Sequence, residues 1–264
     1  MRGLRAVRPR LSAPVVLRGV MYQERTYRNG MLDGRFSTVT FSVQETDLFI
    51  GWTPSVDSGR IRDAARHLVV SLRSQIRSAS DPRFLTSLTP LAGDGETPLL
   101  AAMLQAGRAA GVGPMASVAG AIAQEVGSAL KRRFSLDEVV VENGGDLFVD
   151  VRESIVVKVV APGNPLDGRI GIRVLPSSCP IGIATSSGTT GPSLSFGSAD
   201  AVMVACQDAA LADAYATAFC NRVHGENDLP SVARQAKILH TVKGFLALCG
   251  DKLAVAGDLE VVSL

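Results

Sequence analysis

Val139-Val-Val-Glu-Asn-Gly-Gly-Asp-Leu-Phe-Val-Asp-Val151 is the stretch that decides the class of fold. Two β-branched and aromatic runs flank Asn143-Gly144-Gly145, residues that enter positive φ at little steric cost, so the segment reads as a β-hairpin. A hairpin is antiparallel by construction, and the rest of the chain agrees with it. Phe36-Ser-Thr-Val-Thr-Phe-Ser-Val43 alternates in polarity, with turn residues at Asn29-Gly30 and Asp33-Gly34, which predicts antiparallel strands between residues 20 and 51. Further strands are expected at 154–160 and 169–175, on either side of a Pro162-Gly-Asn-Pro165 loop, and at 181–184 and 201–205.

Helices fall among these strands. Ile61, Ala65, Leu68, Leu72 and Ile76 keep a three-to-four spacing with arginines between them. Thr97-Pro98 pairs a capping hydroxyl with a proline at the first helical position, opening a helix that Gly111 and Gly113 end. A small-residue helix is expected over 115–130, another around Asp213, and a last one over 231–245 before a strand pair around Asp258. Strands at both ends with helices grouped between them predict an α+β fold of antiparallel sheets, with helices packed between and against them. Residues 1–19, with Arg2, Arg5, Arg8 and Arg10, read as a flexible tail, and 20–264 as a single domain.

Bulk composition excludes several classes. The 264 residues are 46% hydrophobic and 20% charged, and 27 basic against 25 acidic side chains leave a net charge of only +2. No overall field draws such a chain toward nucleic acid or an anionic membrane. No stretch approaches the roughly 18 apolar residues that a membrane span requires. Cys179, Cys206, Cys220 and Cys249 are widely spaced, which argues against a zinc site or disulfide framework and for reduced thiols in a cytoplasm. His67, His224 and His240 show no metal-ligand spacing, and no Ser-His-Asp, dinucleotide or P-loop signature is present.

Four local features point to chemistry, and each has a plain alternative. Asp213 and Thr217 lie four apart in Ala-Asp-Ala-Tyr-Ala-Thr (212–217) and share one helix face, either as a half-site for Mg²⁺ or as a solvated surface pair. Gly144-Gly145-Asp146 is either a tight turn or bare backbone on which a ligand rests. Thr185-Ser-Ser-Gly-Thr-Thr-Gly-Pro192 supplies donors for a phosphate or is a surface loop. It resembles the phosphate loop of AMP-forming adenylating enzymes, but Ser193 and Leu194 stand where that loop needs a lysine. The small residues of 115–128 make either a tightly packed buried helix or a ligand-facing one.

Their order along the chain carries a resemblance. Ala121-Ile-Ala-Gln124, then Gly144-Gly145-Asp146 after a valine strand, then Ala184-Thr-Ser-Ser-Gly188 with Thr190-Gly191, and finally Ala212-Asp213-x-x-x-Thr217 are similar to the ApbE family of FAD:protein FMN transferases. The likeness covers roughly residues 110–225 and is most specific at 208–218; the chain looks like a cytoplasmic branch of that family. The resemblance implies an ApbE-like fold that binds FAD with Mg²⁺ at the pyrophosphate. It implies that Asp213 and Thr217 are the metal-binding and catalytic pair, with the backbone of Ala123 as a further ligand. Flavin-nucleotide contacts are then expected from Gln124, Gly144, Gly145, Asp146, Thr185, Ser186, Ser187, Gly188, Thr190 and Gly191. The activity implied is an FMN transferase or FAD pyrophosphatase, with an acceptor protein as partner; the alternative is a non-catalytic carrier, sensor or assembly factor binding the same nucleotide.

The chain also departs from the family pattern. Gln124 stands where the family has lysine, so turnover is expected to be slow and to rise in Gln124→Lys. Glu142 replaces an asparagine, with Asn143 shifted beside the first glycine. A His-Ile-Ile-Asp-Pro block has no counterpart, and with Cys179 the first cysteine there is no lipobox.

Overall fold

The structure, a computed structural model, describes residues 25–28, 31–189 and 195–264. The expected tail over 1–19 and the Asn29-Gly30 turn lie outside the described residues.

The described residues open with a 3-10 turn, Thr26–Arg28, and a hairpin of β1 (Ser37–Val43) and β2 (Thr46–Thr53). Helices α1 (Ser58–Arg77), α2 (Pro98–Ala110) and α3 (Val118–Phe134) follow, then β3 (Glu138–Asn143), β4 (Asp146–Asp150), β5 (Ile155–Lys158), β6 (Ile170–Val174), β7 (Ile181–Ser186) and β8 (Ala201–Cys206). Helices α4 (Ala209–Cys220) and α5 (Leu229–Lys237) precede β9 (Val242–Cys249), β10 (Lys252–Gly257) and β11 (Glu260–Ser263). One eight-stranded sheet runs β1-β2-β3-β4-β7-β8-β9-β10 with every pair antiparallel, and a small sheet runs β11-β6-β5.

The large sheet is covered on both faces, and the two-residue period of its strands shows how. Val139, Val141, Phe148, Val202, Val204, Phe245 and Ala247 join the core beneath the helices. Their neighbours Val140, Leu147, Val149, Ala201, Met203, Leu246 and Leu248 join a second core with Ile155, Val157, Ile172 and Val174 of the small sheet. Double burial makes these strands almost uniformly apolar although they are antiparallel, a pattern more common in parallel sheets.

Helix ends follow the sequence signals. The Thr97 hydroxyl accepts from the Leu100 N–H at 3.3 Å, and Gly111 closes α2 at φ 78°. The Asp57 carboxylate caps α1 through the Arg60 N–H at 2.9 Å. Two expectations fail in the C-terminal part. The helix expected over 231–245 ends at Lys237, and Val242–Cys249 is a central strand paired with β8 and β10. An apolar run such as Phe245-Leu-Ala-Leu248 has no period that separates helix from strand, and tertiary pairing decides it. The strands around Asp258 are not a pair either: β10 joins β9 and β11 joins β6 in the other sheet.

The small residues of 115–128 have a packing cause. A Cβ on Gly120 would lie 2.1 Å from the Ala209 carbonyl oxygen, one on Gly182 2.2 Å from the Ala209 Cα, and one on Gly127 2.4 Å from the Phe148 ring. Bare backbone at these points lets α3, α4 and β7 close on one another. Gly182→Ala should therefore destabilise the protein by about 1–3 kcal/mol through overpacking. Gly225→Ala, with nothing within 4 Å of the added carbon, should be near neutral. Urea unfolding of both variants checks this, and an unchanged midpoint for Gly182→Ala counts against the close approach.

Candidate functional site

The β3–β4 hairpin delivers the first part of the site. Asn143 pairs with Asp146 across the turn, where Gly144 and Gly145 sit at φ 71° and 106°. The buried Glu142 carboxylate shapes this turn by accepting the Gly145 N–H at 2.8 Å. The same carboxylate accepts from the Tyr27 hydroxyl at 2.8 Å and from Arg28 Nε at 2.6 Å. Burial, then the charge of Glu142, pushes the Tyr27 phenol up. Arg28 continues to Asp47, reaching its Oδ1 at 3.0 Å and its carbonyl at 2.9 Å. Segment 25–28 is thus pinned across the ends of β2 and β3.

The second part comes from α3 and α4. Asp213 is buried, and its Oδ2 accepts the N–H groups of Ala119 and Gly120 at 3.1 and 3.0 Å, the first turn of α3. These donors and the positive end of the helix favour the carboxylate, yet desolvation outweighs them and pushes Asp213 up to about 7. Asp146 is also buried and is raised well above the usual carboxylate range. Burial is its largest cause and the nearby Asp213 charge the next, opposed by the Thr185 N–H and by Arg25. Thr217, one turn beyond Asp213, shares a 3.3 Å hydroxyl contact with Ser186 at the end of β7. The Thr185 N–H reaches Asp146 Oδ1 at 3.3 Å, and its carbonyl lies 3.6 Å from a Cβ built on Gly145.

Gly144, Gly145, Asp146, Thr185, Ser186, Asp213 and Thr217 are therefore assembled at one end of the large sheet. The other expected residues that are described have different surroundings. Ser187 and Gly188 lead away from this cluster: the Gly188 N–H bonds the Ala199 carbonyl at 2.9 Å and its Cα packs against Gly197. Thr190 and Gly191 lie outside the described residues. Ala123 is fully buried in the middle of α3. Gln124 serves the start of α4, donating from Nε2 to Asp208 at 2.9 Å and accepting the Ala209 N–H at 2.7 Å. A lysine there would keep a donor for Asp208 and forfeit the bond from the Ala209 N–H.

Sequence reasoning missed the Arg25, Tyr27, Arg28, Asp47 and Glu142 cluster. Its members are up to 117 positions apart, from Arg25 to Glu142, and only the β2–β3 register, with Leu48 opposite Asn143, joins them. The one signal available was the charged Glu142 inside an otherwise valine-rich strand.

Among the described residues no three His, Cys, Asp or Glu side chains are grouped to hold a metal. The donor set still fits a hard divalent cation shared with a ligand. Asp146 and Asp213 are mutually repelling buried carboxylates without a salt-bridge partner among the described residues, and the Thr217 and Ser186 hydroxyls lie beside them. Two carboxylates leave most of an octahedron to water and phosphate oxygens.

A family model described as AbpE bacteria matches residues 28–240. The chain belongs to that family. It is 39% identical over 219 residues to the UPF0280 protein of Methanoculleus marisnigri, an alignment covering 78% of this chain and 84% of the relative. The fold is that of the ApbE flavin transferases. The crystal structure of the Pseudomonas stutzeri flavinyl transferase ApbE in its apo form superposes at a TM-score of 0.52 with 14% identity, covering 84% of this chain and 93% of that one. The Thermotoga maritima ApbE protein superposes at 0.58 with 12% identity, covering 84% and 97%. Antiparallel sheets with helices against them, expected from the sequence, are thus what this AbpE family member has. None of its helices among the described residues is long and apolar enough to cross a membrane.

The acid pair gives this family member a characteristic pH response. A carboxyl raised from 3.8 to about 7 binds more protons folded than unfolded between those values. Stability should therefore fall as pH rises from about 4 to about 7 and level off above, by up to a few kcal/mol for a shift of this size. Asp213→Asn keeps an oxygen for the Ala119 and Gly120 N–H groups and should flatten this slope. Urea unfolding between pH 4 and 9 measures it, and a wild-type profile that rises through this window would contradict the buried acid pair.

Proposed function

We propose that the chain is an Mg²⁺-dependent flavin-nucleotide enzyme that takes FAD, acting as an FMN transferase to an acceptor protein or as an FAD pyrophosphatase. The observation that carries this reading is the buried Asp146 and Asp213 pair beside a bare Gly144-Gly145 turn and the first turn of α3. Bound Mg²⁺ would neutralise pyrophosphate charge and stabilise the charge that develops as the phosphoanhydride breaks. Asp213, with Thr217 one helical turn away, would hold that ion, and Asp146 would complete the protein's share. In the transfer, an acceptor serine or threonine oxygen bonds to the phosphorus of the FMN moiety, the phosphoanhydride bond breaks, and AMP leaves. The proton of the acceptor hydroxyl is released to solvent water, since Asp146 and Asp213 would be engaged in holding the ion.

The rest of the reading follows from the same residues. Chain 20–264 acts as one domain with the strand-end site at its functional edge. Cys179, Cys206, Cys220 and Cys249, all free, suit a reducing cytoplasm. A non-catalytic carrier or sensor of the same nucleotide is the second reading. It is favoured by Gln124, whose amide is engaged at the start of α4 and offers no cation to a leaving group.

Titration of the protein with FAD, followed by flavin fluorescence, should show binding that strengthens with Mg²⁺, and no response up to about a millimolar would end the flavin reading. Asp213→Ala should abolish the Mg²⁺ dependence. AMP appearing on incubation with FAD and Mg²⁺ supports the enzyme, and binding without AMP supports the carrier.

A further inference from the structure

The charged cluster at the β3–β4 turn contains two arginines in different situations. Arg28 is locked, its side chain 7% exposed and its guanidinium held by Glu142 at 2.6 Å and by Asp47 at 3.0 and 2.9 Å. Arg25 is 20% exposed and is held at longer range, 3.4 Å from Asp47 Oδ2, 3.6 Å from Glu142 Oε1, and 3.3 Å from the Asp47 carbonyl. Those contacts use Nε and Nη1. Nη2 has no hydrogen-bond partner among the described residues, and it lies 3.5 Å from where a Cβ on Gly144 would stand. An arginine edge whose Nη2 donors are unpartnered among the described residues thus rests on backbone that carries no side chain, beside the Asp146 and Asp213 pair.

We propose that Arg25 is the anion clamp of this site: its guanidinium receives a phosphate oxygen of a diphosphate ligand over the Gly144-Gly145 turn. The inference rests on the nucleotide reading above and names the residue that supplies the positive charge. Guanidinium presents paired donors that match two phosphate oxygens, a geometry an amide does not offer. Arg28 cannot substitute without breaking its bonds to Glu142, which also hold Tyr27 and the Gly145 N–H in place. Long ion pairs to Asp47 and Glu142 keep Arg25 near the turn while leaving one edge for the ligand. At 3.4 and 3.6 Å these pairs are longer than good hydrogen bonds, and Arg28 stays bonded to the same two carboxylates when Arg25 turns toward phosphate.

Inorganic pyrophosphate with Mg²⁺ is the probe, and isothermal titration calorimetry on the full chain the measurement. Arg25→Gln should weaken pyrophosphate binding about tenfold or more and reduce its salt dependence, with riboflavin binding and the unfolding midpoint unchanged. Arg62→Gln removes the same charge from the exposed side of α1 and should leave pyrophosphate affinity as it is. Arg25→Lys, which restores charge without the fork, should recover part of the loss. The clamp is overturned if Arg25→Gln binds pyrophosphate like the wild type, if Arg62→Gln weakens it equally, or if the wild type binds no pyrophosphate. Arg25-dependent pyrophosphate binding in a protein that ignores flavin supports the clamp and ends the flavin reading. Flavin binding that does not change in Arg25→Gln while pyrophosphate binding is also unchanged leaves the flavin reading and removes the clamp.

Discussion

The close approach of α3, α4 and β7 around Ala209 is the constraint on which the rest of the molecule depends. Gly120 and Gly182 bring backbone against backbone there, and no side chain fits between. That distance sets where Asp213 stands along α4, and so lets its carboxylate meet the first N–H groups of α3. It also fixes the register in which Gln124 meets Asp208 and Ala209 one turn further along. A second tie, from the Asn143 amide to the Ala119 carbonyl at 3.1 Å, locks the β3 end to the same turn of α3. The acid pair is thus produced by packing in the helical layer and held by the sheet.

Burial against solvation governs the electrostatics that result. Asp213 has two N–H donors and a helix end, which in water would pull a carboxyl down, yet it stands near neutrality because desolvation is larger. At the opposite side of the turn, Glu142 receives Arg28, Tyr27 and the Gly145 N–H together. Acids a few positions apart, Glu142 and Asp146, therefore differ in whether an arginine bonds them directly. One is satisfied and structural; the others are left short of positive charge.

Local signals made most of the fold legible. Asn143-Gly144-Gly145 announced its turn, Thr97-Pro98 its helix start, and the alternation of 36–43 its strand, because each depends on residues close in sequence. Phe245-Leu-Ala-Leu248 misled for the opposite reason: its state is set by β8 and β10, which periodicity cannot report. The same division holds at the candidate site. Asp213 and Thr217 were visible through helical spacing and the glycine turn through its dihedral demands. Arg25, Arg28 and Asp47 were invisible, because their roles arise from strand register and from a segment folded back over the strand ends. Gln124 was found by position but its partners were not, since they lie on another helix.

The double covering of the large sheet bears on how such a protein can change over time. With helices on one face and the small sheet on the other, both faces are covered among the described residues, and the candidate site lies end-on to the sheet, at the tips of β3, β4 and β7. Residues that make the core cohere are then largely separate from residues of the candidate site. Turns and the strap of residues 25–28 can be rewritten while the layers beneath stay the same, so divergence in chemistry need leave little trace in architecture. An overlap at 12–14% identity with retained topology is the outcome such a separation permits.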